Sequence, residues 1–473
     1  MPELSISDFK GCNTYVNPFQ VQDGNIIHSL NMESVPLGGK RKRAGYTTFL
    51  GTPDTSTVNS LFSWIKNDGS TFYLYRASST GLYSSAQGTG AWTITGNGTI
   101  ASGAHVMSNV LDNTLFVADG VGSTRHSTSG TNFTDTSGAP IAVDLAQYQN
   151  RIYAAGTSSS LFYSTAGTGT DWVTDSTSIF IPGEGKLSRI YKASDRLFSA
   201  KNSGFIYRWD GETLIDMATR LGPSSPYSVG QVEDYRFWLN RLGVFTSNGG
   251  AAQLISNPIQ NQIYNDSGSA IIGTSFDSAP GGVYKYNYFV SAGTLTDDFT
   301  GITINDAIIK YDYQKNEFSN YRFANYPTSF ASYKDTSGVD QFIFGDASGQ
   351  CYQLSGTATT DNGSAIEASL LLVIHGNIPH TQKDFRTLEV FTNPGCAARV
   401  QFMCADTNDR FSPWAREQAH VWTELGDLHS GYTLFAFPGG SRGRLLYLRI
   451  YDNGSNNRLD LYSIKYTFDI VKQ

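Results

Sequence analysis

The chain has 473 residues, of which 13% are aromatic and 16% charged, with 48 glycines, 27 tyrosines and 28 phenylalanines. Its formal net charge of −7 argues against a nucleic-acid binder that uses its whole surface, although a local basic patch stays open. No run of 18 apolar residues occurs, so no transmembrane helix is expected, and four cysteines are too few for a disulfide framework.

The length exceeds that of one ordinary core, which favours at least two domains or a long closed β architecture. Many aromatics and glycines with few charges suit short strands joined by tight turns. The opening MPELSISDFKG has neither a basic stretch nor an apolar core, so it does not read as a secretory signal. Asn-x-Ser/Thr triplets such as Asn97-Gly-Thr and Asn453-Gly-Ser therefore read as turn chemistry. Cys12, Cys351, Cys396 and Cys404 are expected to be reduced and buried, with Cys396 and Cys404 spaced to face each other across a hairpin.

Residues 1–56 carry strand patterns, NIIHSL and YTTFL, and are expected to complete one blade of the repeat array that follows, or its platform. Between them lies the densest charge cluster, Lys40-Arg41-Lys42-Arg43. Two readings are open: phosphate contact, because Lys/Arg clusters displace counterions from a nucleic-acid backbone, or a solvated turn before YTTFL.

Residues 57–356 repeat a unit of β run, turn, β run ending in small residues, turn and aromatic β run. Copies include TFYLYRASSTGLYSS, TLFVADGVGSTRHS, RIYAAGTSSSLFYST and YRFWLNRLGVFTSNGG. The anchors Leu74, Leu115, Ile152, Leu197, Phe237, Phe289 and Phe342 follow one another at intervals of 37 to 53 residues. Such a period with several strands per unit marks propeller blades, here about seven, within a range of six to eight. LYSSAQGTGAW and LFYSTAGTGTDW each place a Trp, Trp92 and Trp172, after a Gly-Thr-Gly turn. These turns resemble the structural Asp-box turns of sialidase-like propellers, which indicate fold rather than catalysis.

After a polar linker, residues 357–473 change character. RTLEVFT, ARVQFMCA, YTLFAFPG, RLLYLRIYD and LDLYSIKYTFDIV read as a C-terminal antiparallel β-sandwich. AREQAHVWTEL (415–425) reads as a short helix or an irregular loop. Arg442, Arg444 and Arg449, with Arg458 nearby, form a second basic cluster, read as interface residues or as structural pairs; Arg444 and Arg449 should point to opposite faces. The fold class is thus all-β: a β-propeller followed by a sandwich.

No chemistry-bearing set assembles. The seven histidines (His28, His105, His126, His375, His380, His420, His429) are scattered, and His375 and His380 have no further ligand at metal spacing. Asp452-Asn453-Gly454-Ser455-Asn456 lacks the distal acid of a calcium loop and reads as a hairpin turn. No phosphate-cradling loop, nucleophile elbow or HExxH occurs. No catalytic residue, metal or cofactor is expected, and the chain is not expected to be an enzyme.

Two stretches carry a family resemblance. NPFQVQDGNIIHSLNMESVPLGGKRKRAGYTTFLG (17–51) resembles the start of tail nozzle proteins, also called tail hub or tail tubular protein B, of short-tailed bacteriophages. HTQKDFRTLEVFT, VQFMCADTNDRFSPWAREQ and SRGRLLYLRIYDNGSNNRLDLYSIKY are similar to that family's C-terminal domain. The resemblance implies a virion tail component made in the host cytoplasm. It implies a homohexameric ring below portal and adaptor that encloses the DNA exit channel, lets DNA pass without sequence preference, and carries a needle, spike or fibre. An acidic channel lining would suit that passage, because like charges do not adhere. The alternative from another class is a carbohydrate- or receptor-binding propeller on a virion surface, using aromatic rims as stacking platforms.

Overall fold

The computed structural model describes the chain except residues 1, 15–19, 21, 52–53, 70, 173–176, 218, 265–275, 298–301, 406–421, 430, 454–456 and 472–473. Most of AREQAHVWTEL and the turn at 454–456 thus lie outside the described residues. Elsewhere the chain is almost entirely β.

Among the described residues, five free-standing four-stranded sheets and two four-strand units built into larger sheets follow one another around a ring, seven blade units in all. Blades 1 to 5 span residues 58–99, 107–135, 142–180, 187–216 and 230–254. Blade 6 comprises Gly281–Tyr284, Asn287–Thr296, Thr303–Asp312 and Glu317–Arg322. Blade 7 takes Ser329–Lys334, Asp340–Gly345 and Cys351–Leu354, and its fourth strand is Tyr46–Thr48 from the N-terminal segment.

The second strand of a blade is covered by neighbouring blades on both faces, so it reads as a continuous buried run rather than an alternating one. Phe72–Ser78, Thr114–Ala118, Arg151–Gly156 and Arg196–Lys201 are buried almost throughout. All seven sequence anchors fall on these second strands, and all are buried. Hairpins between first and second strands are two-residue turns with both residues in the left-handed region in blades 2 to 4: Asp112-Asn113, Gln149-Asn150 and Ser194-Asp195. That geometry matches the strand twist, and Asn and Asp tolerate it best among non-glycine residues.

The ring closes between blades 7 and 1. Thr328 Oγ1 donates to the Val58 carbonyl at 2.7 Å, and Ser63 Oγ donates to the Ser332 carbonyl at 3.1 Å. Gly345 sits where the two blades approach most tightly: a Cβ there would lie 2.4 Å from the Val58 Cβ. Tyr46 anchors the borrowed strand, packed against Phe323, Phe344 and Tyr352 with its hydroxyl 3.0 Å from Asn325 Oδ1.

The sandwich draws on both ends of the chain. One sheet runs Met32–Ser34, Lys40–Lys42, Asp460–Ile470, Lys383–Thr392, Tyr432–Ala436, with Glu3–Ile6 and Arg442–Gly443 paired beside it. The other runs Ile26–Leu30, Glu367–Ile374, Leu445–Asn453, Arg399–Ala405, Thr423–Asp427. Leu370, Leu372, Leu446, Leu448 and Ile450 face Leu388, Val390, Ile464, Tyr466 and Phe468 across the core. Leu30 pairs in parallel with Asn320, so the second sheet continues into blade 6 as nine strands.

The basic run forms the joint between the two bodies, which corrects both readings made of it. Lys40, Lys42 and Arg43 are neither a phosphate contact nor a solvated turn; they are buried. Lys40 lies 3.3 Å from Glu317 of blade 6, and Lys42 lies 2.9 Å from Asp452 of the sandwich. Arg43 grips Asp361 with both Nη atoms, at 2.8 and 2.6 Å. Its Nε donates to Asn31 Oδ1 at 2.8 Å, and its Nη atoms also reach the Arg322 and Ala44 carbonyls at 2.7 and 3.1 Å. All five guanidinium N–H groups are thereby used, and the Phe323 ring lies 4.6 Å from the guanidinium carbon. The free energy of bringing this cation in from water is offset only because every donor finds an acceptor.

Two outcomes follow. Arg43→Met strands a buried Asp361 carboxylate and should cost about 3–5 kcal/mol in urea unfolding. The double variant Arg43→Met/Asp361→Leu should recover part of that loss; no recovery would show that the charge pair does not set the effect. Gly345→Val should lower the thermal midpoint and expose the 49–58 region to protease, whereas the same change at open Gly338, which meets nothing within 4 Å but has positive φ, should cost only its backbone strain.

Candidate functional site

The first strands of the blades surround an axial cavity of about 220 Å³, lined among others by Phe62, His105, Met107, Arg189, Tyr227 and Phe330. His105 precedes the first strand of blade 2, and Tyr227 lies on the short turn Pro226–Ser228 before blade 5. Their rings stack across the axis with centroids 3.6 Å apart. Burial pushes the His105 pKa down to about 4, so the imidazole there is neutral at pH 7. Arg189 of blade 4 donates to Asp144 of blade 3 at 3.1 Å and to the Met107 sulfur at 3.3 Å. Asp144 also accepts the backbone N–H groups of Leu145 and Ile190, at 2.9 and 2.6 Å. Burial outweighs these partners and raises the Asp144 pKa.

Of the predicted basic residues left after the joint is assigned, Arg41 pairs with Asp460 at 2.9 Å, as does Arg458 at 3.0 Å. These two border a pocket of about 330 Å³ at the seam between propeller and sandwich. Arg442 is exposed, 3.5 Å from Asp384. The Arg444 carbonyl accepts from Lys383, whose ammonium is enclosed by the carbonyls of Ile378, Thr381 and Arg444. Arg449 points away from the sandwich core, on the same side as Tyr447, its guanidinium 4.8 Å from the Tyr451 ring. The structure therefore distributes the predicted cluster over several places instead of gathering it into one patch.

Trp92 and Trp172 are buried, and Trp172 Nε1 donates to the Gly169 carbonyl of its own turn at 2.7 Å. They lock the blade rims and offer no platform for a sugar. The four cysteines are thiols, and burial pushes Cys12 and Cys351 up to about 12. Among the described residues no group of three or more His, Cys, Asp or Glu side chains is placed to hold a metal ion. Among the described residues no helix is long and apolar enough to cross a membrane.

One surface feature was not foreseen in the sequence. Tyr432–Ala436 pairs on one side with Lys383–Thr392 and, among the described residues, with nothing on the other. Its outward residues Tyr432 and Leu434 are 46% and 54% exposed, and the Tyr432 ring lies 5.2 Å from Phe391 on the adjacent strand. The strand carries no charge, proline or glycine, the usual means of blunting an edge. The signal was present in YTLFA, an alternating run without a gatekeeper, but edge position cannot be read from one sequence.

A family model described as the DUF6242 β-propeller domain matches residues 53–202, a stretch that holds blades 1 to 3 and the first half of blade 4. No curated protein matches the chain. Among solved structures, the WD40 repeats of RRP9 align at 9% identity and a TM-score of 0.44, covering 66% of this chain and 99% of that one. YCF48 bound to a D1 peptide aligns at 9% identity and 0.42, covering 71% and 99%. PorZ of the Porphyromonas gingivalis type-IX secretion system aligns at 12% identity and 0.40, covering 80% and 46%. The chain is a β-propeller protein with a fused β-sandwich.

Proposed function

We propose that the chain is a structural subunit of a bacteriophage tail, a nozzle or hub ring below portal and adaptor that encloses the DNA exit channel and attaches distal tail parts. The observation that carries this reading is the open edge Tyr432–Ala436, uncharged and flanked by exposed aromatic surface. Such an edge favours continuation of the sheet into another chain. Rings join head to tail, so this edge would meet a different surface on the next copy. The resemblance of residues 17–51 and of the C-terminal strands to tail nozzle proteins supports the same reading.

The axial cavity cannot be the DNA path. It holds about 220 Å³ and is crossed by the His105–Tyr227 stack. Passage in this reading runs through the lumen between subunits, with each propeller as a solid wall segment. The joint at Arg43 suits that role, because it fixes the sandwich against the propeller at both blade 6 and blade 7. The receptor-binding alternative draws no support from Trp92 and Trp172, which are buried.

Light scattering of the purified chain, alone and with portal, adaptor and tail proteins, tests the proposal. A closed ring, six-membered by the resemblance, is the expected product. Leu434→Lys should reduce the ring fraction at least tenfold while leaving stability within about 0.5 kcal/mol, as for other surface changes. A chain that stays monomeric at every concentration and with every tail component would sink the proposal.

A further inference from the structure

Eight Lys and Arg side chains are buried among the described residues: Lys40, Lys42, Arg43, Arg76, Arg125, Lys201, Lys310 and Lys383. Each is satisfied. Arg76 bonds Asp54 and the Gly349 carbonyl, Arg125 the Asn97 and Thr99 carbonyls, Lys201 the Gly183 carbonyl, and Lys310 the Tyr321 hydroxyl. The remaining four are described above. This chain thus does not bring a cation inside without an acceptor.

Arg236 departs from that pattern. It lies on the second strand of blade 5, two residues before Trp238, and so shares that residue's face. Trp238 packs against Tyr191 of blade 4 with ring centroids 6.3 Å apart, so Arg236 enters the same cleft between blades 4 and 5. There its Nε is buried without a hydrogen-bond partner, and among the described residues no carboxylate forms an ion pair with it. Arg189, two residues before Tyr191 on the facing strand, has a buried and unbonded Nε as well. The two guanidinium groups feel each other: burial first, and then Arg189, hold the Arg236 pKa down at about 10. The one carboxylate at hand, Asp144, is already taken by Arg189 and two backbone N–H groups. Two cations therefore share one committed anion in a partly buried cleft, and Arg236 has no protein anion of its own.

We propose that Arg236 and Arg189 together hold a small oxyanion, a phosphate or a carboxylate, between blades 4 and 5 beside the axial cavity. An oxyanion supplies what the cleft lacks: a negative charge, and acceptor oxygens matched to a planar guanidinium fork. Arg236 is half-buried, not sealed, so its end is reachable from solvent. Arg189 lines the axial cavity with Tyr227 and His105, and the neutral imidazole adds no competing charge. The site does not depend on the ring reading, since every group in it belongs to one propeller.

Thermal unfolding and calorimetric titration of the full chain test the proposal with sodium phosphate, sodium acetate and, at matched ionic strength, sodium chloride. Phosphate or acetate should raise the midpoint saturably, as a ligand of the folded state does, and chloride should not. A response to phosphate alone would identify a phosphate site, and a response to both a general oxyanion site. Arg236→Leu should weaken the response at least tenfold, while Arg442→Leu, on the sandwich surface, should leave it intact. If Arg236→Leu does not fold, Arg236→Lys, which keeps the charge and loses the fork, should still weaken binding severalfold. A full response in either Arg236 variant, or none beyond that of chloride in the parent chain, overturns the proposal.

Discussion

The arginine at the joint constrains more of this molecule than any other side chain. Arg43 gathers Asn31, Arg322 and Asp361, positions that belong to the sandwich entry, the end of blade 6 and the hairpin appended to blade 7. Three residues later the same segment becomes the outer strand of blade 7. A register slip of one residue at Lys40–Lys42 would turn Lys42 out of its contact with Asp452 and move the following Tyr46 off its aromatic pocket. Burial of one face already resists such slippage, and a fully bonded guanidinium adds to that, because each displaced donor leaves a buried acceptor unmet. The basic run thus pins the register through four consecutive charges, each with its own carboxylate partner.

The propeller was legible from sequence because its signal is local and repeated. Leu74, Leu115, Ile152, Leu197, Phe237, Phe289 and Phe342 mark second strands whose burial on both faces demands apolar or small residues over the whole run. The Trp-bearing turns were readable for the same reason: the indole of Trp172 caps its own loop. The N-terminal half of the sandwich was not legible. Its strands Met32–Ser34 and Lys40–Lys42 are three residues long and mostly polar; they pair with each other, and the strand that joins them to the sheet, Asp460–Ile470, lies at the far end of the chain. No periodicity survives in three residues, and a lysine at an inward position looks like a surface lysine until its carboxylate is placed beside it. The same limit hid the axial charges, since Arg189 and Asp144 are 45 residues apart in sequence and meet only when blades 3 and 4 stack.

Edge management links the two bodies. A propeller leaves one outer strand per blade open to pairing, and here those strands are mostly short or covered. Thr134–Asp135 and Gln253–Leu254 are two residues long, and Leu214–Asp216 three. The outer strand of blade 6 is covered by Ile26–Leu30, and that of blade 7 by the Thr360–Ala365 hairpin, where Asp361 both pairs with Tyr46 and receives Arg43. In the sandwich, Thr423–Asp427 ends its sheet with Glu424 and Asp427, charges that discourage pairing. Thr177–Phe180, the outer strand of blade 3, is likewise uncharged and unpaired on one side among the described residues, with Phe180 68% exposed. The proposed assembly uses the other such place, the Tyr432–Ala436 edge. That place lies on the sandwich, so an assembly built through it would leave the propeller, with its closed axis, as wall rather than contact.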